Sequence, residues 1–133
     1  MSYTSDTAPD LDPEYKKYFE EFYKLSDTAP PAGTAETYAE EFTDDATFIM
    51  GGNFNKEIIK MRKGMWEKVA SRKHKAHKIY TFGPGSDEVM LYGDVEYGMK
   101  DGSKAGKEWA ARAKMVKEGG KVKMSFYQVY LSG

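Results

Sequence analysis

The chain has 133 residues, 31% of them charged, a formal net charge of -1 at pH 7 and no cysteine. That length suits one domain with one core. The balanced charge excludes a broad electrostatic surface for nucleic acid or anionic membrane, and the cysteine count excludes disulfides, thiol nucleophiles and cysteine-based metal centres. No apolar run approaches the ~20 residues of a membrane span. The opening MSYTSDTAPDLD lacks the positive start and apolar core of a signal peptide, so the expected location is cytoplasmic.

In chain order, residues 1–11 are polar, contain Pro9 and read as a flexible arm, leaving 12–133 as a single domain. Asp12-Pro13 is a helix start, with Asp able to cap free amides and Pro tolerated at the first helical position. Tyr15, Tyr18, Phe19, Phe22 and Leu25 follow at helical spacing, and Pro30, Pro31 and Gly33 end that helix near Asp27. Thr34 caps a second helix carrying Tyr38 and Phe42 one turn apart, broken by Thr43-Asp44-Asp45. Ala46 to Met50 is a short strand closed by Gly51-Gly52. Asn55 caps a third helix with Ile58, Arg62, Met65, Trp66 and Val69 on one stripe. The basic stretch from Lys56 to Lys78 reads as a solvated helix face rather than a phosphate patch.

From His74 the period changes to alternation. Strands are expected over Lys75–Phe82, Glu88–Met99, Lys107–Lys117 and Lys121–Leu131, separated by Gly-rich turns. Val89, Leu91, Val95, Tyr97 and Met99 share one face, as do Trp109, Ala111, Ala113 and Met115. In the last strand Val122, Met124, Phe126 and Tyr130 point one way and Tyr127, Val129 and Leu131 the other. Apolar residues on both faces mean that both are covered: one by the helices, the other by a second copy of the chain, a homodimer through the outer sheet face.

The order helix, helix, short strand, helix, then a four-strand meander, with Phe42-Thr43-Asp44-Asp45-Ala46-Thr47-Phe48 at the helix-strand join, resembles the nuclear-transport-factor-2-like superfamily. Within it the chain is most similar to small SnoaL-like proteins, over residues 12 to 131. The resemblance implies an α+β fold, a cone-shaped barrel in which three N-terminal helices pack on a curved, mostly antiparallel sheet around an apolar pocket. It also implies frequent dimerisation. Isomerases, cyclases, dehydratases, epoxide hydrolases and non-catalytic proteins share the fold, so fold alone leaves function open.

Laid on the ketosteroid-isomerase-like arrangement, the base position falls at Met50 and the two donor positions at Trp109 and Phe22, so that chemistry is not expected. The scytalone-dehydratase pattern matches better. His74 stands at the family's distance before Asp87-Glu88-Val89, and Tyr23 matches a tyrosine that activates water or substrate. That family's second His falls at Gly93, its helix Asp at Lys24 and its second Tyr at Met50. His74 is therefore the candidate acid/base, with Tyr23 beside it; the competing reading is a helix-terminal surface histidine favoured by the dipole.

The ten Tyr and eight Met suit either a bulky core or a cavity for flat organic molecules. Tyr18, Tyr38, Met50, Trp66, Tyr92, Trp109 and Phe126 are the candidate lining, with Tyr127 similar in kind. Asp94 and Glu96 are read as solvent-facing, and Arg112 as their structural partner across strands. His77 has no third ligand at metal spacing, so no metal is expected, and no cofactor is implied. The expected function is binding of a small hydrophobic molecule, with cofactor-free lyase or isomerase chemistry through His74 as one alternative. The other is a non-catalytic binding or dimeric interaction module.

Overall fold

The computed structural model describes residues 3–55 and 57–132; Lys56, the first residue of the basic stretch, lies outside them, as do Met1, Ser2 and Gly133. The elements are β1 (Asp6–Thr7), α1 (Pro13–Ser26), α2 (Ala35–Ala39), β2 (Phe42–Met50), β3 (Asn53–Asn55), α3 (Ile58–Gly64), β4 (Val69–Thr81), β5 (Glu88–Met99), β6 (Lys104–Glu118) and β7 (Lys121–Leu131). They form one mixed seven-stranded sheet ordered β1-β4-β5-β6-β7-β2-β3. Its edge strands β1 and β3 do not pair with each other, so the sheet is open rather than a closed barrel.

Helix α1 starts as its sequence dictates. The Asp12 side chain accepts from the Glu14 amide at 2.9 Å and Pro13 takes the first helical position. Its apolar stripe, from Tyr15 through Tyr18, Phe19, Phe22 and Tyr23, is buried. Phe22 sits among Tyr18, Tyr38, Phe42 and Tyr127, with ring centroids 5.4–5.8 Å away. Each such ring contributes about 1.5–3 kcal/mol of burial. In the same cluster Ala111 and Ala113 are wholly buried, leaving room for those rings over the centre of β6.

Several expectations are corrected. Part of the supposed flexible arm is strand: Asp6 and Thr7 pair in parallel with Lys78 and Ile79, Ser5 Oγ donates to the Ala76 carbonyl at 2.8 Å, and Leu11 is buried. Phe42 opens β2 instead of closing α2, because its backbone pairs with Met124 of β7. Helix α3 ends at Gly64 and β4 already begins at Val69; Asn55 belongs to β3, and Glu57 occupies the capping position without a side-chain hydrogen bond. Here tertiary pairing overrides a local helical pattern. The basic stretch therefore divides between elements: Lys60 and Lys63 are exposed on α3, and Lys73, Lys75 and Lys78 on β4.

Of the four register shifts among the described strands, two bulges set which residues face the helices. One lies between Ala76 and Lys78, where His77 is the extra residue against Gly93 and Tyr92. Inward positions thus switch from Arg72, His74 and Ala76 to Ile79. The other leaves Ser125 without a partner opposite Lys114 and Met115. It puts Val122, Met124, Tyr127 and Val129 on one buried face and turns Phe126 and Tyr130 outward. Both faces of β7 still carry apolar residues, but this slip of one residue changes their membership, moving Val122 and Met124 to the face of Tyr127 and Val129. Arg112 pairs with Glu88 at 3.5 Å, not with Asp94 or Glu96, and lies over the Phe126 ring at 4.3 Å.

Candidate functional site

The chemically equipped residues converge where the C-terminal end of α1 meets β4. Asp27 follows the last helical residue, a place where the helix dipole disfavours a carboxylate. Hydrogen bonds offset that. Tyr3 Oη donates to Asp27 Oδ2 at 2.9 Å, the His74 amide donates to the same oxygen at 2.8 Å, and Asp27 Oδ1 lies 2.5 Å from His74 Nδ1. The Asp27 side chain is 5% exposed and that of His74 14%. With the carboxylate as acceptor, the proton sits on Nδ1, leaving Nε2 as the free basic nitrogen. Burial, then the bond and the charge of Asp27, push the Tyr3 hydroxyl up to about 12.

The imidazole lies against Tyr23, ring centroids 5.2 Å apart and 30° from parallel, and edge-on to Trp109 at 6.0 Å. Tyr23 Oη and Tyr127 Oη share a hydrogen bond of 2.7 Å. Burial pushes both hydroxyls well above the usual tyrosine range, with a further push on Tyr23 from Tyr127. The tyrosine pair is thus a neutral donor-acceptor group.

Arg72, two positions before His74 on the inner side of β4, brings a positive charge. Its Nη2 donates to the Met65 carbonyl at 2.6 Å, and its guanidinium lies 5.4 Å from the Trp66 ring and 5.1 Å from the Tyr97 ring. Burial lowers its proton affinity, and Tyr97 is the foremost group opposing that. Arg72 Nε and Trp109 Nε1 are buried without a hydrogen-bond partner among the described residues.

Of these side chains Tyr23, Arg72, His74, Tyr97, Trp109 and Tyr127 line a partly open cavity of about 30 Å³, together with residues such as Tyr38, Met50 and Met65, while Asp27 and Tyr3 stand behind His74. Larger depressions, such as one of about 570 Å³ by Lys73, Glu96 and Lys104, are open surface grooves without a comparable cluster of acid/base groups. A volume near 30 Å³ accommodates about one water-sized group, so a larger ligand requires side chains such as Met50 and Met65 to move, which unbranched thioethers do readily.

Of the residues singled out from the sequence, His74, Tyr23, Tyr38, Met50 and Trp109 share this cavity. Four do not line it. Tyr18 is buried elsewhere and donates to the Glu41 carbonyl at 2.7 Å; Trp66 stands behind Arg72. Tyr92 and Phe126 lie on the outer side of the sheet, turned there by strand phase and by the Ser125 bulge. The carboxylate that meets His74 is Asp27, one turn after Tyr23, and not position 24, where the sequence has Lys. That spacing was a usable signal. Arg72 also had one, its alternation with His74 in the strand. Tyr3 had none. Among the described residues no group of three His, Asp or Glu could hold a metal ion. His77 pairs instead with Asp94 at 2.9 Å on the outer side.

No protein-family model matches this sequence, and no curated protein matches it either. Solved structures match its fold. A scytalone dehydratase candidate from Novosphingobium aromaticivorans superposes with a TM-score of 0.73 at 14% identity, covering 90% of this chain and 83% of the other. An NTF2-like protein of unknown function from Exiguobacterium sp. 255-15 gives 0.69 at 17% identity, covering 86% and 98%. A type 2 hexachlorocyclohexane dehydrochlorinase gives 0.66 at 14% identity, covering 90% and 86%. The chain therefore has the nuclear-transport-factor-2-like fold, an open α+β cone.

Proposed function

We propose that this chain binds a small hydrophobic molecule, aromatic or polyketide-like, and transfers a proton on it without a cofactor, as a lyase or isomerase. The observation that carries the proposal is the buried His74–Asp27 pair, with His74 at the wall of the cavity. Asp27 fixes the imidazole tautomer and orientation, and Nε2 takes a proton from carbon or returns one to a leaving group. Tyr23, backed by Tyr127, offers a hydroxyl beside the imidazole. Tyr38, Met50 and Trp109 supply apolar walls. Two of the structural neighbours carry names that denote eliminations, a dehydrochlorinase and a dehydratase candidate, which agrees with a lyase.

The test is solvent deuterium exchange into a panel of small aromatic ketones and β-hydroxy ketones, followed by NMR. The wild-type chain should accelerate exchange for at least one compound. His74→Ala and Asp27→Asn should each lower that rate by about 10²-fold or more, the usual range for removing positioned acid/base groups. A panel in which compounds bind but none exchanges favours a non-catalytic binding protein instead.

The same reading includes a homodimer through the outer sheet face. Cross-strand rows there carry Tyr80 beside Met90, and Tyr92, Ala110 and Tyr130 side by side. Tyr80, Met90, Tyr92 and Tyr130 are all exposed, an apolar patch of the sort that marks an association surface.

A further inference from the structure

The cavity holds two features that the proton-transfer reading does not use. Arg72 is a cation that forms no ion pair among the described residues; Asp27 attracts it, but both Asp27 oxygens are taken by His74 and Tyr3. Its guanidinium is held by the Trp66 and Tyr97 rings, by the Met65 carbonyl and by the Tyr97 hydroxyl, neutral groups that fix its position. Beside it, Arg72 Nε and Trp109 Nε1 are buried donors with no acceptor in the described chain. Buried donors are ordinarily paired, and a buried charge ordinarily has a partner. Both residues line the cavity, as does His74, which lies against Trp109 and two positions after Arg72 in β4. An incoming group that satisfies all three demands has acceptor lone pairs and negative charge. A single oxygen is the size that about 30 Å³ admits, and the rest of the head needs the same side-chain movement as any larger ligand.

We propose that Arg72 and Trp109 form an oxyanion subsite, and that the molecule bound in this cavity presents a carboxylate, enolate or phenolate oxygen to it. The inference rests on the cavity being the ligand site, and not on catalysis by His74. Charge-assisted bonds to a guanidinium in apolar surroundings would set both affinity and orientation, placing the oxygen-bearing carbon beside the imidazole.

The experiment follows the indole N–H signal of Trp109 by NMR, assigned with Trp109→Phe, on titration with formate, acetate and benzoate. Formamide, acetamide and benzamide serve as neutral counterparts. The anions should shift the signal saturably and the amides should not. Arg72→Gln should weaken the anion response by about tenfold or more, the usual consequence of losing a hydrogen bond to a charged group. His74→Asn should keep the anion response while abolishing proton exchange, so failure of the subsite and failure of the catalytic reading are distinguishable. Absence of a saturable shift with every anion overturns the subsite, as does an equal response to the amides or an undiminished response in Arg72→Gln. Where Arg72→Gln fails to fold, Trp109→Phe read on the His74 ring protons decides: undiminished anion affinity overturns the proposal.

Discussion

Asp27 is placed where a helix least favours a negative charge, and neighbouring donors hold it there. Its replacement should therefore be felt in two separable ways. In Asp27→Asn the Tyr3 hydroxyl, now raised to about 12, should titrate closer to 10, though not the whole way, because burial is the first cause of its shift and Asp27 the second. The Tyr3 ring-carbon signal followed against pH measures this, and an unmoved midpoint would show that Asp27 does not act on it. The tyrosines also set an alkaline limit. Tyr3, Tyr23, Tyr38 and Tyr127 all have folded-state proton affinities raised by burial above their ordinary value. Groups raised in this direction contribute stability that is complete below about pH 10, their unfolded value, and is lost as pH rises toward the folded values. Denaturation midpoints should accordingly be flat with respect to these groups near neutrality and fall above about pH 10. Ionisation of Tyr3, Tyr23, Tyr38 or Tyr127 near pH 10, followed residue by residue on their ring-carbon signals and without loss of stability, would contradict this.

At the scale of elements, the site depends on how α1 is fastened to its neighbours. Arg62 of α3 is almost wholly buried and reaches the end of α1, donating through Nη2 to the Ser26 carbonyl at 2.7 Å and more loosely to Leu25 and Thr28. Its guanidinium lies 4.4 Å from the Tyr38 ring. Those carbonyls flank Asp27, so the contact fixes the turn that presents it. Arg62→Ala should cost about 3 kcal/mol by denaturant titration, from lost charged hydrogen bonds and orphaned carbonyls. A loss under about 0.5 kcal/mol, the level of an ordinary surface change, would remove Arg62 from this role. The bulge in β4 makes a different demand. A Cβ on Gly93 would lie 1.8 Å from the Lys75 carbonyl oxygen, so Gly93→Ala must push the two strands apart beside His74. We expect a loss of about 2 kcal/mol or more, in the range of overpacked interiors, with displaced His74 ring signals. Wild-type stability in this variant would mean that the strands are not so closely apposed.

At the scale of the whole molecule, the exposed aromatic rows on the outer face predict association. Light scattering across a concentration series should report a dimer for the wild-type chain, and Tyr92→Lys combined with Tyr130→Lys should give a monomer with the same circular dichroism. A wild-type monomer at every concentration would leave that face without a partner copy. Among the described residues no helix is long and apolar enough to cross a membrane. The cavity of about 30 Å³ is far below the several hundred Å³ typical of ligand sites. If the cavity is the ligand site proposed above, entry has to move side chains, and methyl-group relaxation at Met50 and Met65 should reveal that motion.

Sequence alone determined the elements whose signals are local. The Asp12-Pro13 helix start, the bounds of β5 and β7, the buried faces of β5 and β6, and the α+β class follow from capping chemistry, alternation and turn residues, none of which requires a distant contact. Sequence also singled out His74 and Tyr23. Only the tertiary structure decided what surrounds them. Phe42 became strand through pairing with β7, Val69 through pairing with β5, and Asp6–Thr7 through pairing with β4, each a long-range ladder that outweighs local preference. The bulges at His77 and Ser125 each shift strand phase by one residue, and the one at Ser125 is why Phe126 faces outward while Tyr127 lines the cavity. Above all, the Tyr3–Asp27–His74 cluster joins three distant chain segments, and no periodicity within any of them announces the other two. The α+β class and most of its elements were legible in the residues; the charged groups that meet beside His74 became visible only when the chain was folded.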